Sequence, residues 1–178
     1  MIRARYVGVD RSVALLARAR AGPEAATLQL VEADLLTPAW VDALTPPEDG
    51  FEAVVLFSTL HHVPCARRRR SLLGEIAALL APEGRWAISV WQLLHLERMR
   101  RKIRPWSDAG IDEAELEPGD LLVDWRRGGR GLRYVHHFEP EELAELCEQA
   151  GLLVQEQYRS DGHSGDLGLY FLGGRNTR

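Results

Sequence analysis

Residues 51–57 read Phe-Glu-Ala-Val-Val-Leu-Phe, and their nearly continuous apolar run predicts a strand that is buried on both faces of a sheet. Apolar residues then recur at helical intervals from Pro64 to Ala81, and the turn at 82–84 ends that helix. Residues 86–91 return to a strand pattern. This order predicts two parallel strands joined by a helix.

The same alternation comes before this unit. Tyr6 to Val9 is an apolar run that ends at Asp10, and Ser12 is placed to cap a following helix. A second apolar run, Leu28 to Val31, ends at Asp34. Because parallel strands share one carboxyl edge, we expect both acids at the edge where open α/β folds bind ligands.

The C-terminal part predicts a helix over 140–150 and then two strands, 152–158 and 167–172, that form an antiparallel hairpin. The expected fold class is therefore α/β, with a mainly parallel sheet and an antiparallel C-terminal hairpin. Residues 92–132 break the alternation with prolines and glycines. We interpret them as an insertion on the substrate side, partly helical and partly loop.

The composition fits one globular domain over residues 1–172, with a flexible tail over 173–178. The chain has 178 residues, of which 46% are hydrophobic and 27% charged, and its net charge of -4 argues against disorder. It contains no apolar run of about eighteen residues and no signal-peptide layout, so we expect no membrane association and a cytoplasmic location. Cys65 and Cys147 lack metal or disulfide spacing, so we expect inert thiols and no metal site.

Positive charge is concentrated in the middle of the sequence. The net charge is -3 over residues 1–66, +7 over 67–104 and -8 over 105–178. The basic block contains Arg67–Arg70 and the run from Arg98 to Arg104. It predicts either a local anion-binding patch or a solvated helix face.

Seven segments have the order and the local sequences of a known protein family. Two are specific, Gly-Asp-Leu-Leu-Val-Asp-Trp at 119–125 and Arg-Tyr-Val-His-His-Phe at 133–138. On these residues the chain resembles class I S-adenosylmethionine-dependent methyltransferases, in particular the wobble-uridine tRNA carboxymethyl methyltransferases and their bacterial relatives. The other five segments are Val7–Ser12, Glu32–Leu35, Leu60–His62, Arg67–Ile76 and Ile88–Trp91.

The resemblance implies a Rossmann-like sheet whose first strand and glycine-rich loop are absent here. No Gly-x-Gly precedes Asp10. In the family that strand lies in the middle of the sheet, so its loss would leave backbone groups unpaired. We therefore expect either a functional short form or an N-terminally truncated chain. In addition, Asp124 stands where the family usually has proline, which adds a negative charge near the expected substrate.

The cofactor that the resemblance implies is S-adenosylmethionine. Asp10, with Arg11 beside it, would accept hydrogen bonds from the ribose hydroxyls, and the alternative role for Asp10 is to cap the next helix. Asp34 would accept from the adenine amino group while the Leu35 amide faces the ring. The alternative for Asp34 is to cap a turn.

Residues after the strand at 51–57 complete the expected cofactor site. By resemblance, Ser58, Leu60 and His61 would border the sulfonium and the methionyl tail. Two adjacent histidines lack the spaced partners of a zinc site, so we expect His62 to be structural.

Arg133 and Tyr134 are the residues that we expect to clamp the methyl acceptor. The resemblance implies a carboxylate acceptor, which is already ionised at neutral pH and needs a cation rather than a base. His136 would serve as a base for a hydroxyl or amine acceptor, or would pack beside Phe138. The alternative for the whole segment is an ordinary loop.

The partners implied are a tRNA or a small carboxylate substrate. Arg126, Arg127 and Arg130 would join the basic block in contacting RNA phosphates. The eukaryotic members of the family also use a small zinc-binding activator subunit, which makes an activator subunit a further partner to test.

The leading function is thus an S-adenosylmethionine-dependent methyltransferase acting on a carboxylate or a modified uridine in tRNA. The alternative is a truncated, non-catalytic methyltransferase-like module that binds a partner, which the missing glycine-rich loop suggests. A nucleotide-dependent oxidoreductase is disfavoured because it would need a Gly-x-Gly-x-x-Gly turn after a strand, and the sequence has none.

Overall fold

The computed structural model describes residues 5–22, 28–126, 129 and 131–176. Residue contacts divide the chain into two compact units, Met1–Pro47 and Glu48–Arg178. The single domain expected over residues 1–172 stays a prediction. No helix in the described part of the chain is long and apolar enough to cross a membrane.

The first unit is a strand, a helix and a strand, as predicted. Strand β1 (Tyr6–Asp10) pairs in parallel with β2 (Leu28–Glu32), and helix α1 (Val13–Arg20) connects them. The predicted cap is confirmed, because the Ser12 side chain accepts the Leu15 N–H at 3.3 Å. Such a cap satisfies one of the free N–H groups at the start of a helix.

The second unit is built on a four-stranded sheet in the order β3-β4-β9-β8. Strand β3 (Phe51–Phe57) runs parallel to β4 (Leu80–Trp91), and helix α2 (Ala66–Leu79) connects them. Helix α4 (Pro140–Gln149) leads into β8 (Leu152–Ser160), and β9 (Gly168–Arg175) pairs antiparallel with both β4 and β8.

The predicted C-terminal hairpin is therefore confirmed. Its last strand is longer than expected, because β9 continues to Arg175 and keeps pairing with β4 and β8. Residues 173–175 belong to the sheet rather than to a tail, and 177–178 lie outside the described residues.

The core of the second unit lies on one face of this sheet. Helices α2 and α4 contact each other, and α4 contacts β8. The buried side chains of the helices and strands include Leu72, Leu73, Leu143, Ile88 and Phe171. The apolar stripe predicted for α2 thus faces the core.

Strand β3 corrects one expectation, because it is not buried on both faces. Val55 is 61% exposed and Phe57 51% exposed, while Leu56 between them is buried. Side chains alternate along a strand, so Val55 and Phe57 share one exposed face and Leu56 lies on the buried one. In addition, β3 is an edge strand, which pairs with β4 alone among the described strands. Likewise β1 pairs with β2 alone, so the described strands of the two units belong to separate sheets.

The segment interpreted as an insertion contains a third sheet that the sequence analysis did not predict. It begins with a short helix, α3 (Glu97–Arg100). Strands β5 (Ile103–Arg104), β6 (Asp120–Trp125) and β7 (Gly131–His136) then form an antiparallel sheet. The two motif segments are thus strands of one hairpin, not an ordinary loop.

Candidate functional site

Two acidic residues end the neighbouring strands of the first unit. Asp10 is the last residue of β1, and its Oδ1 accepts the Ser12 N–H at 2.7 Å. Asp34 follows β2, and its Oδ1 accepts the Leu36 N–H at 2.9 Å across the turn that holds Leu35. Asp34 thus caps a turn, as its alternative role predicted, whereas the cap of helix α1 is Ser12 and Asp10 holds the N–H of that cap residue. This bond uses one oxygen of Asp10, and Oδ2 of Asp10 has no partner among the described residues.

Arg11 lies beside these acids. Its guanidinium is 3.9 Å from Oδ2 of Asp34, and the two side chains are 72% and 39% exposed. An ion pair this long and this exposed contributes little to stability, so Arg11 is free to turn toward a ligand.

In the second unit, Ser58 sits in a tight turn directly after β3. Its φ of +50° is left-handed, which is uncommon for a residue with a side chain. Strand β4 holds it there, because the Ser58 N–H donates to the Ser89 carbonyl at 3.0 Å and to the Ser89 hydroxyl at 3.1 Å. In addition, Nε1 of Trp91 donates to the Ser58 hydroxyl at 3.1 Å.

The next residues, Leu60 and His61, are fully enclosed. Nδ1 of His61 accepts the Trp91 N–H at 3.4 Å, and the His61 ring lies 4.6 Å from the Trp91 ring. Nε2 of His61 is buried and has no hydrogen-bond partner. Burial, reinforced by the charges of His62 and Arg133, holds the pKa of His61 well below its usual value. The expected position of Leu60 and His61 near a cofactor stays a prediction.

His62 ties this turn to the motif hairpin. Its Nδ1 lies 3.0 Å from the Tyr134 carbonyl oxygen, and its ring meets the Trp91 ring edge-on at 5.2 Å. Burial and the nearby Arg133 charge lower the pKa of His62, while the bond to Tyr134 raises it. The structural role expected for His62 accounts for Nδ1 but leaves Nε2 open.

Arg133 lies on a stack of aromatic rings. Its guanidinium carbon is 4.0 Å from the centre of the Trp125 ring, and Trp125 stacks on Trp91 at 5.8 Å. Burial lowers the pKa of Arg133, but an arginine stays charged at neutral pH. No carboxylate among the described residues forms an ion pair with it. Arg133 is therefore a half-buried cation that is open to an anionic group.

Tyr134, unlike Arg133, has side-chain partners within the chain. Its hydroxyl donates to Oδ1 of Asp120 at 2.7 Å and accepts from Nη1 of Arg69 at 3.1 Å. Burial and the Asp120 carboxylate raise the pKa of Tyr134. The structure thus separates the two residues of the expected clamp, because the Tyr134 hydroxyl is engaged within the chain; the acceptor role of Arg133 stays a prediction.

His136 is also fully engaged. Nδ1 lies 2.7 Å from Oδ1 of Asp120, and Nε2 lies 2.8 Å from Oε1 of Glu142 on α4. The side chain is 1% exposed and its ring meets Phe138 edge-on. Both ring nitrogens are therefore occupied by carboxylates of the chain itself, and neither is open to a methyl acceptor. The packing alternative is the one that the structure favours.

Arg69 corrects the expectation that the arginines at 67–70 form a surface patch. Its guanidinium is buried, with Nη2 2.6 Å from Oε2 of Glu117 and Nη1 3.2 Å from the Val63 carbonyl. Arg68 pairs with Glu75 at 2.6 Å. Only Arg67 and Arg70 of the four are exposed. A sequence pattern of consecutive arginines carries no signal for which one turns inward.

Other members of the basic block are paired locally. Arg100 and Arg101 both contact Glu97, at 2.9 and 3.1 Å, and these pairs are more than half exposed. Arg126, which was expected to join the block, contacts Asp124 at 2.9 Å. Arg127 and Arg130 lie outside the described residues. Exposed pairs of this kind break easily, so the RNA-binding role of the block stays a prediction.

Three side chains come together as metal ligands would. The ligand atoms of Glu117, Asp120 and His136 lie within 4.8 Å of one another. Their oxygens already accept hydrogen bonds from Arg69, Tyr134, the Ala66 N–H and the Glu117 N–H. The Arg69 guanidinium, 2.6 Å from Glu117, would also repel a cation. The donor set fits a hydrogen-bond network better than a metal site.

Comparison with known proteins adds the family context. A model of the family described as "Methyltransferase domain" matches residues 2–157. An Encephalitozoon cuniculi protein whose name identifies it as a methyltransferase is 30% identical over 148 residues, which cover 83% of this chain and 62% of that protein. A Mus musculus protein named tRNA methyltransferase 9B is 27% identical over 116 residues, which cover 65% of this chain and 18% of that protein. The chain thus spans under two thirds of the length of these relatives.

Solved structures share the fold. A S-adenosylmethionine-dependent methyltransferase of Methanosarcina mazei has a TM-score of 0.67 at 17% identity, covering 95% of this chain and 81% of that one. A Burkholderia thailandensis N-methyltransferase bound to S-adenosylhomocysteine has a TM-score of 0.59 at 20% identity, covering 96% and 61%. A Haloferax volcanii methyltransferase in complex with the Trm112 activator has a TM-score of 0.64 at 17% identity, covering 98% and 72%.

Proposed function

This chain belongs to the methyltransferase domain family, and we propose that it transfers the methyl group of S-adenosylmethionine to a carboxylate or a modified uridine in tRNA. The proposed acceptor rests on the environment of Arg133. This half-buried cation stacks on Trp125 and has no carboxylate partner in the described chain. A guanidinium in this state suits an anionic or carbonyl oxygen, and the tryptophan beside it suits a flat ring.

We assign the cofactor to the residues that the resemblance singled out. Asp10, Arg11, Asp34 and Leu35 lie at the carboxyl edge of β1 and β2, where open α/β sheets bind nucleotides. Oδ2 of Asp10 has no partner among the described residues and is free to accept from a ribose hydroxyl. For Ser58, Leu60 and His61 of the second unit, a cofactor-binding role is proposed on the resemblance alone. When bound, S-adenosylmethionine supplies an electrophilic methyl group.

The chain's own task is mainly to position the acceptor and to exclude water. Methyl transfer is an in-line displacement, so near-attack geometry contributes much of the rate. Arg133 would fix the acceptor's oxygen, and the rings of Trp91 and Trp125 would form an apolar wall. The RNA phosphates would meet the exposed arginines Arg98, Arg100 and Arg101.

The names of similar proteins support the choice of tRNA and of an activator as partners. One relative is named a tRNA methyltransferase, and one structural neighbour is solved with the Trm112 activator. We therefore propose tRNA as the first substrate and an activator subunit as the first protein partner to test.

A second function, a partner-binding module without catalysis, is favoured by one observation. The edge strand β3 exposes Val55 and Phe57, and Tyr158 is 46% exposed on the same sheet. An exposed apolar strand edge is a common protein-binding surface.

Calorimetric titration with S-adenosylhomocysteine separates the two functions. Binding by the folded chain that is lost in Asp10→Ala and kept in Asp42→Ala, an exposed aspartate of the same unit, supports the enzyme. A folded chain that does not bind the ligand contradicts the cofactor site and favours the module.

The acceptor is tested by incubating the chain with radiolabelled S-adenosylmethionine and unfractionated tRNA. We expect label in the tRNA, lost in Arg133→Ala and kept in Arg20→Ala. Charge reversal of Arg98, Arg100 and Arg101 should abolish tRNA binding and leave S-adenosylhomocysteine affinity unchanged. Unchanged tRNA binding would refute the RNA-binding role of this block.

A further inference from the structure

We propose that His62 is the proton acceptor of the methyl-transfer reaction, and that the methyl acceptor is a flat ring bearing an N–H or O–H next to a carbonyl oxygen. This inference rests on the proposed function and narrows its substrate class, because it favours a protic ring over a carboxylate. The evidence is the hydrogen bonding of His62, its place beside Arg133, and the state of the other histidines.

The hydrogen bond to Tyr134 fixes which nitrogen of His62 carries the proton. A carbonyl oxygen only accepts, so Nδ1, 3.0 Å from the Tyr134 oxygen, must be the donor. In a neutral imidazole this leaves the lone pair on Nε2. The backbone of β7 thus holds His62 in the tautomer that a general base acting through Nε2 requires.

Nε2 of His62 is also accessible. It has no hydrogen-bond partner among the described residues. It also keeps some exposed surface, because it is missing from the set of fully enclosed polar atoms without a partner. The ring itself is only partly buried and stands edge-on to Trp91. An acceptor that lies against the rings of Trp91 and Trp125 can therefore reach this nitrogen.

The neighbouring histidines cannot take the same role. His61 is fully enclosed, and its Nδ1 already accepts from the Trp91 N–H. His136, for which the sequence left a base and a packing role open, has a carboxylate at each nitrogen. His137 is 4% exposed, and its Nδ1 is enclosed without a partner. His62 is the histidine of this cluster with a free, open lone pair.

The charged groups around His62 keep it neutral and suit the expected chemistry. Burial lowers its pKa, and the positive charge of Arg133 lowers it further, against the raising effect of the Tyr134 carbonyl. His61, beside it on the same turn, is also held neutral by burial. The same Arg133 charge would stabilise the negative charge that develops on the acceptor's carbonyl oxygen as its proton leaves.

The reaction balances without a further reactant. The acceptor's nitrogen or oxygen forms a bond to the methyl carbon while the bond from that carbon to sulfur breaks, and the electron pair of the broken bond stays on sulfur. The acceptor's proton passes to Nε2 of His62 and then to solvent. The products are the methylated acceptor, S-adenosylhomocysteine and one proton.

His62→Asn tests the proposal, because the asparagine amide can keep the N–H donor to the Tyr134 carbonyl while the basic nitrogen is removed. His163→Asn, at an exposed turn, is the matched control. With unfractionated tRNA and radiolabelled S-adenosylmethionine, we expect His62→Asn to lower kcat by about 100-fold or more and to leave S-adenosylhomocysteine binding unchanged. The control should match the wild-type chain.

The pH profile separates a base from a positioning residue. Below the ordinary histidine pKa, the wild-type rate should fall as His62 becomes protonated, and the His62→Asn rate should lack that fall. Equal rates in the two chains, or a flat wild-type profile as a carboxylate acceptor would give, would overturn the proposal.

A third measurement needs no acceptor. A proton–nitrogen correlation spectrum of the imidazoles at pH 7, with His62 assigned by its loss in His62→Asn, should show a proton on Nδ1 and none on Nε2. A proton on Nε2 would overturn the proposal whatever the substrate is. If tRNA receives no label from the wild-type chain, the proposed substrate fails, and the spectrum still decides the state of His62.

Discussion

Replacing Glu117 by glutamine should destabilise the second unit, because it leaves a buried cation without its counter-charge. The Arg69 side chain is 2% exposed, and its Nη2 lies 2.6 Å from the Glu117 carboxylate. Glutamine keeps one acceptor oxygen, and at the Oε2 position it can still accept from both Arg69 and the Ala66 N–H, so the main change is the lost charge. Removing one partner of a buried pair costs about 3–5 kcal/mol.

The expected cost is smaller here, because the Glu117 side chain is 34% exposed and water already screens it. We therefore expect about 2–3 kcal/mol, which corresponds to a fall of about 1 M in the urea midpoint for an ordinary denaturant dependence. The assay is urea unfolding followed by circular dichroism. Glu97→Gln, which removes an exposed partner of Arg100 and Arg101, should change stability by about 0.5 kcal/mol or less.

A double variant makes the test independent of the exact magnitude. Arg69→Met combined with Glu117→Gln removes the buried charge together with its partner, so it should be more stable than Glu117→Gln alone. A Glu117→Gln midpoint equal to that of the wild-type chain would refute this reasoning. So would a double variant that is less stable than the single one.

Three further predictions follow from the described contacts. Burial raises the pKa of the Cys147 thiol to about 12, whereas Cys65 is exposed, so a disulfide reagent at pH 8 should modify one thiol in the folded chain and both in urea. The pKa values of His61, His62 and His137 are lowered in the folded chain. As the pH drops from 7 toward 5.5, the unfolded chain therefore binds more protons than the folded one, and the free energy of unfolding should fall. Urea midpoints at the two pH values test this. Gly173→Ala should be strongly destabilising, because the new methyl group would overlap the Leu153 carbonyl of β8, and a lowered melting temperature would show it.

Local patterns predicted the parts of this fold that depend on neighbours in sequence. The Ser12 cap, the apolar stripe of α2 and the C-terminal hairpin each rest on residues a few positions apart, and the structure confirms them. The burial of Arg69 was not predictable in the same way. Its partners Glu117 and Tyr134 lie 48 and 65 residues away, so only the folded chain shows that this arginine turns inward.

The sheet formed by β5, β6 and β7 was not predicted, for a different reason. The β6 sequence Asp-Leu-Leu-Val-Asp-Trp does not alternate cleanly between apolar and polar residues, and prolines and glycines surround it. The strand becomes visible through its pairing with β7, where Leu122 faces Tyr134 and Val123 faces Arg133. Pairing partners across a turn of this length are not encoded in local periodicity.

The hairpin also explains why the residues of one motif have different roles. Successive side chains of a strand point to opposite faces, so Arg133 lies on one face of β7 and Tyr134 and His136 on the other. On the second face, Asp120 bonds both Tyr134 and His136. Tyr134 also bonds Arg69 and His136 also bonds Glu142 of α4, and these contacts hold the hairpin in place. On the first face, Arg133 rests on Trp125 with its charge unpaired in the described chain. Because β7 is an edge strand, the Tyr134 carbonyl is free to bind His62. The alternation of a single strand therefore separates the residues that support the site from the cation that faces the acceptor, and its free edge orients the histidine beside that cation.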